Sequence, residues 1–159
     1  MHWHGYLWTG PKDRFDQEAL RRPPHPEPPP AGSRPEVIQR YREVATAFPT
    51  SDLPPLETAY WLVKPLSQVH GTWSNPWEAA AWLGDTLTRY AARIAAEAQR
   101  DVGHLTGLVQ ASAERLGSGD DVSLGFYLER PAFLSLAAVA CSPNRAKPGL
   151  GCPLGPPTT

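Results

Sequence analysis

From Asn75 onward the sequence carries one apolar stripe in helical phase that is too long for a domain of this size. Ala80, Leu83, Leu87, Tyr90, Ala91, Ile94 and Ala98 recur at intervals of three and four, with Glu78, Asp85, Arg89, Arg93 and Arg100 opposite them. The start is well marked. Asn75 can accept the N–H of the third helical residue, Pro76 needs no donor at the first position, and Glu78 can reach back to complete a capping box. This predicts a capped amphipathic helix from Asn75 or Pro76 to about Arg100. The stripe then stays in phase through Leu105, Leu108, Val109, Ser112 and Leu116. An unbroken helix of that span is roughly 60 Å long, whereas a compact domain of 159 residues is only about 40 Å across. The helix therefore breaks and folds back, or projects and pairs with a second copy. Asp101-Val102-Gly103 is the expected break, because the acid interrupts the stripe and a helical glycine costs about 1 kcal/mol.

The rest of the chain predicts an α+β fold, with a small, mainly antiparallel sheet packed by two or three helices. His2, His4, Tyr6 and Trp8 alternate with Trp3, Gly5 and Leu7, a period-two pattern that predicts a first strand with an aromatic face. Lys12 to Arg22 can hold one or two helical turns. Between Pro23 and Pro35, seven of thirteen residues are proline, so no helix or central strand survives there and an extended linker or surface strap is expected. Pro35 opens a helix whose apolar positions run from Val37 to Phe48, with Pro49 as its stop. Thr58 to Lys64 is rich in strand formers and predicts a second strand around Tyr60. Gly117-Ser118-Gly119-Asp120-Asp121 reads as a helix stop and turn. Val122, Leu124, Phe126 and Leu128 then alternate as a strand, and the apolar run from Phe133 to Cys141 follows as a strand buried on both faces, joined to it as a hairpin. The expected organisation is a single domain over 1–141 and a glycine- and proline-rich tail over 142–159.

Charge argues against some function classes. With 15 basic and 16 acidic residues, no global field recruits nucleic acid or an anionic membrane. No apolar segment is long enough to span a bilayer, and the first residues lack the pattern of a secretory signal, so a cytoplasmic protein is expected. Its two cysteines are then read as thiols.

Few residues offer chemistry. Cys141 and Cys152 lie in a turn-rich segment, and the spacing leaves unlinked thiols, a disulfide or a metal site open, with unlinked thiols favoured. Zinc needs four ligands, which His2 and His4, on one face of their strand, complete only if the two chain ends meet. No cofactor is therefore the primary expectation, with zinc as the alternative. His70 stands before Gly71-Thr72-Trp73 at the entrance to the central helix, where the positive helix end favours an anion, and Glu57 or Glu78 are its candidate partners. Asp120-Asp121 is read as turn chemistry. Trp82 falls on the polar side of the central helix, with Trp73 and Trp77 near the entrance. It is either covered by the aromatic strand or the strap, or exposed for a partner. Arg89, Arg93 and Arg100 share one helix side and are read as solvated, with phosphate contact as the alternative.

At Leu124-Gly125-Phe126-Tyr127-Leu128 through Phe133-Leu134-Ser135-Leu136, then Cys141-Ser142-Pro143-Asn144-Arg145 and Cys152-Pro153, the chain resembles uncharacterised proteins of high-GC Gram-positive bacteria and their mobile elements. Trp3-His4-Gly5-Tyr6-Leu7-Trp8-Thr9-Gly10 shares the resemblance, which covers the two ends of the chain. It implies an accessory role for a plasmid, integrative element or phage, and assigns no catalytic residue. The functional expectation is a non-catalytic binding or protein-interaction domain whose contact surface lies around Trp73, Trp77 and Trp82. The alternatives are a small-molecule enzyme or ligand-binding domain with a pocket near His70, and nucleic-acid binding through Arg89 and Arg93. Another protein is the expected partner, with a small ligand or a homodimer as alternatives and no membrane.

Overall fold

The computed structural model describes residues 1–156, so residues 157–159 of the expected tail lie outside it. Four antiparallel strands form one sheet in the order β2-β1-β4-β3. Their ranges are β1 His2–Pro11, β2 Gly71–Trp73, β3 Val122–Tyr127 and β4 Ala132–Cys141. The long strands β1 and β4 pair along their whole length, from His2 opposite Cys141 to Pro11 opposite Ala132. The first and last strands of the chain thus lie side by side at the centre of the sheet. The alternating segments form β1 and β3 as expected, and the apolar run of β4 is buried along almost its whole length, as a strand covered on both faces.

The two faces of the sheet carry different cores. Trp3, Leu134, Leu136, Ala138 and Ala140 face the helices, with Leu83, Leu87, Leu105 and Leu116 packed on them. Tyr6, Ala137, Val139 and Cys141 face the other way, against Trp61, Leu62, Leu150 and Cys152. Small residues at Ala138 and Ala140 let the helices approach the sheet closely.

Helices α1 (Lys12–Phe15) and α2 (Glu18–Arg21) are single turns, and α3 runs over Pro35–Thr50. Pro49 sits inside the last turn of α3 rather than ending it. The expected strand at Thr58–Lys64 is instead a 3₁₀ helix, Thr58–Val63. There the ring of Trp61 stacks on Tyr6 at 4.7 Å. Burial of Trp61 and Leu62 against the sheet face outweighs the strand propensity of the segment, as tertiary packing commonly does. The additional strand is β2, which pairs Trp73 with Trp3 and Gly71 with Gly5.

The long stripe breaks earlier than expected. Helix α4 covers Pro76–Tyr90 and passes into a 3₁₀ turn at Ala91–Arg93. Ile94 is extended and buried in the core, and Ala95 N–H donates to Tyr127 O at 2.8 Å. That bond to the sheet edge takes the place of a helical one. After the short α5 (Glu97–Arg100), α6 covers Val102–Gly117, and the Asp101 side chain caps it by accepting His104 N–H at 3.1 Å. Asp101 therefore does divide two helices, and α6 folds back onto α4 where Gly84 faces Val109. The Asn75 cap is real, but its side chain accepts from Trp77, the second helical residue, at 2.8 Å. Among the described residues, no helix is long and apolar enough to cross a membrane.

Candidate functional site

Strand pairing alone brings three of the four candidate ligands together. His2 and His4 are two apart on β1 and so share a face. Cys141, the last residue of β4, sits directly opposite His2 in the antiparallel register. The fourth arrives by a loop. Ser142 takes a left-handed backbone angle (φ 64°) and turns the chain immediately after the strand. Asn144, buried, then anchors that turn: its amide donates to Ala140 O at 2.8 Å and to the Asp121 carboxylate at 3.0 Å. Asp121 also accepts Ala140 N–H at 2.9 Å, while Asp120 pairs with Arg145 at 3.0 Å. The acid pair thus anchors the distant loop after β4, beyond the role within its own turn that the sequence suggests. Leu150 packs beneath β4 and Cys152 reaches back over the two histidines.

The condition for a four-ligand site, that the two chain ends meet, is satisfied. The ligand atoms of His2, His4, Cys141 and Cys152 all lie within 4.8 Å of one another. His2 Nε2 is 3.1 Å from His4 Nε2 and 3.4 Å from Cys152 Sγ, which is 3.6 Å from His4 Nε2. The cysteines are not bridged. His4 Nδ1 is 2.8 Å from Thr72 Oγ1 on β2, so the threonine can fix the ring while Nε2 faces the cluster.

The electrostatics suit ligation by neutral imidazoles. Burial, reinforced by the neighbouring His2, holds His4 down at about 4. Burial first, and the N-terminal amine second, also lowers His2. Burial pushes the Cys141 thiol up, so a cation entering here must displace a thiol proton. Tyr6, fully buried on the same face, has a hydroxyl without a hydrogen-bond partner. Burial raises its pKa, and the charges of Cys141 and Cys152 raise it further.

The other expected site residues divide. Trp82 is half-buried, covered by the aromatic strand side of the molecule: its ring lies 5.4 Å from that of Trp73, and a Cβ on Gly5 would come within 2.8 Å of it. Trp73 is also half-buried, whereas Trp77 is 57% exposed. Trp77 borders a mainly apolar groove between α4 and α6, with Ala81, Gly84, Leu105 and Val109 along it and Asp85 and Arg100 at its edges. Val102, on the same groove, is 77% exposed.

His70 donates its backbone N–H to Gly5 O at 2.8 Å and sets its ring 6.4 Å from Trp82. Among the described residues, no hydrogen bond or ion pair joins it to Glu57 or Glu78. Glu57 lies 3.6 Å from Lys147, and Glu78 is exposed on the first turn of α4. Arg93 forms an ion pair with Glu129 and Arg89 donates to Thr86 Oγ1 at 3.1 Å, and both side chains remain exposed on the surface. Sequence reasoning missed Thr72 and Tyr6 as members of the cluster's surroundings. Tyr6 shares the face of His2 and His4 and was legible by the same period; Thr72 was not, because nothing local pairs β2 with β1.

No protein-family model matches the chain, and neither curated proteins nor solved structures yield a match. The geometry is therefore what bears on function.

Proposed function

We propose that the chain is a non-catalytic interaction module that engages a protein partner through the groove between α4 and α6. The observation that carries this reading is the exposure of Trp77 and Val102 beside an apolar trough of about 580 Å³. Trp side chains at such positions are favoured binding anchors, because one rigid ring removes a large apolar area from water on contact. The trough is open along the helices and carries Asp85 and Arg100 at its margin. These features suit the apolar face of a partner helix with polar flanks.

The scarcity of converging reactive groups supports the non-catalytic part. Among the described residues no carboxylate pairs with His70, and the cluster of His2, His4, Cys141 and Cys152 offers four metal ligands, a set suited to a closed ion site rather than to an open position for substrate. The reading includes a cytoplasmic location, whose reducing poise keeps neighbouring thiols unbridged.

Affinity capture from the native host tests the proposal, with the wild-type chain and Trp77→Ala/Val102→Ser as paired baits. The expected result is a protein held by the wild type and lost by the variant, while the two baits unfold at the same denaturant concentration. Equal capture by both folded baits would rule out this groove.

A further inference from the structure

We propose that His2, His4, Cys141 and Cys152 form a tetrahedral zinc site that closes the two ends of the chain over one face of the sheet. This stands apart from the partner groove, which lies on the other side of the sheet among the helices.

Distances between ligand atoms make the first argument. Tetrahedral zinc with Zn–N near 2.05 Å and Zn–S near 2.3 Å sets the ligand atoms about 3.3 Å apart for two nitrogens and about 3.6 Å for nitrogen and sulfur. The observed separations are 3.1 Å between the histidine nitrogens and 3.4 and 3.6 Å from those nitrogens to Cys152 Sγ. Cys141 Sγ falls within the same 4.8 Å cluster.

Hydrogen bonding explains this triangle less well. A neutral ring nitrogen is either a donor or an acceptor, and its single proton cannot point along two edges of a near-equilateral triangle. At least one of the three contacts would then be poorly aligned. A cation at the centre accounts for all three with lone pairs pointing inward.

Charge and surroundings make the second argument. Two thiolates balance one zinc ion, so the completed site is neutral. That suits a setting of Trp61, Leu62, Val139 and Leu150, where an uncompensated charge would be costly. Thiolate and imidazole ligands favour zinc over magnesium or calcium, which take oxygen.

The two groups around the ligands make the third. Thr72 Oγ1 can accept the Nδ1 proton of His4, which leaves Nε2 to bind the metal, the usual outer arrangement for a zinc histidine. The buried Tyr6 hydroxyl has no partner among the protein atoms, and a metal-bound thiolate is an acceptor of the kind it lacks. All four ligand positions come from the chain, so the role is structural: the ion ties the loop beyond Cys141 to β1.

The test uses the full chain, titrated with zinc against a competing chelator and with cobalt(II) as a spectroscopic stand-in. One zinc per chain is expected, with the visible bands of tetrahedral cobalt and a thiolate-to-cobalt charge-transfer band. Thr72→Val should weaken zinc by about 10- to 100-fold, and Cys152→Ser or His4→Ala should weaken it further and abolish the tetrahedral cobalt spectrum. His104→Ala, a histidine outside the cluster, should bind as the wild type does. Cys152 is on the half-exposed returning loop, so its variant is the one expected to remain folded, and circular dichroism verifies this. Hydrogen exchange should slow at residues 2–4 and 149–152 when zinc is added. No zinc bound by folded wild-type protein at micromolar concentration would overturn the proposal. So would zinc bound with equal affinity by Cys152→Ser.

Discussion

Replacing Gly84 with alanine probes the contact that makes the long stripe fold back on itself. A Cβ built on Gly84 would lie 2.6 Å from Val109 Cγ2, with the next two neighbours, also on Val109, at 3.8 Å. The clash is therefore with one methyl group on the facing helix. Overpacking of this kind costs about 1–3 kcal/mol, and replacing a helical glycine by alanine returns about 1 kcal/mol. The single variant should lose between about 0 and 2 kcal/mol. In a Val109→Ala background the methyl is gone, so the same replacement should become stabilising by about 1 kcal/mol. Urea unfolding of the four proteins in the cycle measures the coupling, which should be of the order of 1–3 kcal/mol with an unchanged denaturant slope. Effects that add to within about 0.5 kcal/mol would show that α4 and α6 do not meet at this pair.

Trp82→Ala should destabilise the domain by about 2–3 kcal/mol, below the usual range for a fully buried tryptophan because the ring is only half covered; a loss under about 1 kcal/mol in urea unfolding would contradict its packing on Trp73 and Gly5. Lys64 gives a pH dependence. Its buried ammonium donates to Phe48 O at 2.6 Å and lies 4.1 Å from the Phe48 ring, yet burial holds its pKa down at about 8, from an ordinary 10.5. Between those values the unfolded chain binds the proton that the folded chain has released, so stability rises with pH across that window. At about 1.4 kcal/mol per pH unit the rise is at most of the order of 3 kcal/mol, and the hydrogen bond and ring contact act to reduce it. The wild type should gain stability relative to Lys64→Met between pH 8 and 10, and parallel stability curves for the two proteins would refute the assignment.

Much of the fold was legible where one residue's environment is set by its immediate neighbours. The alternation in β1 and β3 and the apolar run of β4 need only a sheet with buried faces, and Asn75 and Asp101 cap their helices by contacts within three residues. Thr58–Val63 and the end of α4 were misread for a common reason. In both, local preference is real but weaker than a distant contact: Trp61 stacks on Tyr6, and Ala95 bonds to Tyr127 across the fold. The ligand cluster was half legible for the same reason. Period two puts His2 and His4 on one face, but placing Cys141 opposite His2 requires the register of the first strand against the last. Bringing Cys152 back depends on Ser142, Asn144 and Asp121 acting together, which no local pattern announces. Trp82 sits on the polar side of α4 beneath a second cover, Trp73 of β2 and Gly5 of β1, so of its two readings the one with the aromatic strand as cover describes it better than solvent exposure does.

X-ray absorption at the zinc edge, on protein loaded with one equivalent and freed of excess metal, tests the closing of the chain ends most directly. The four-ligand arrangement predicts a four-coordinate ion with two sulfurs at about 2.3 Å and two imidazole nitrogens at about 2.0–2.1 Å. A first shell of nitrogen and oxygen alone, or one with a single sulfur, would contradict it.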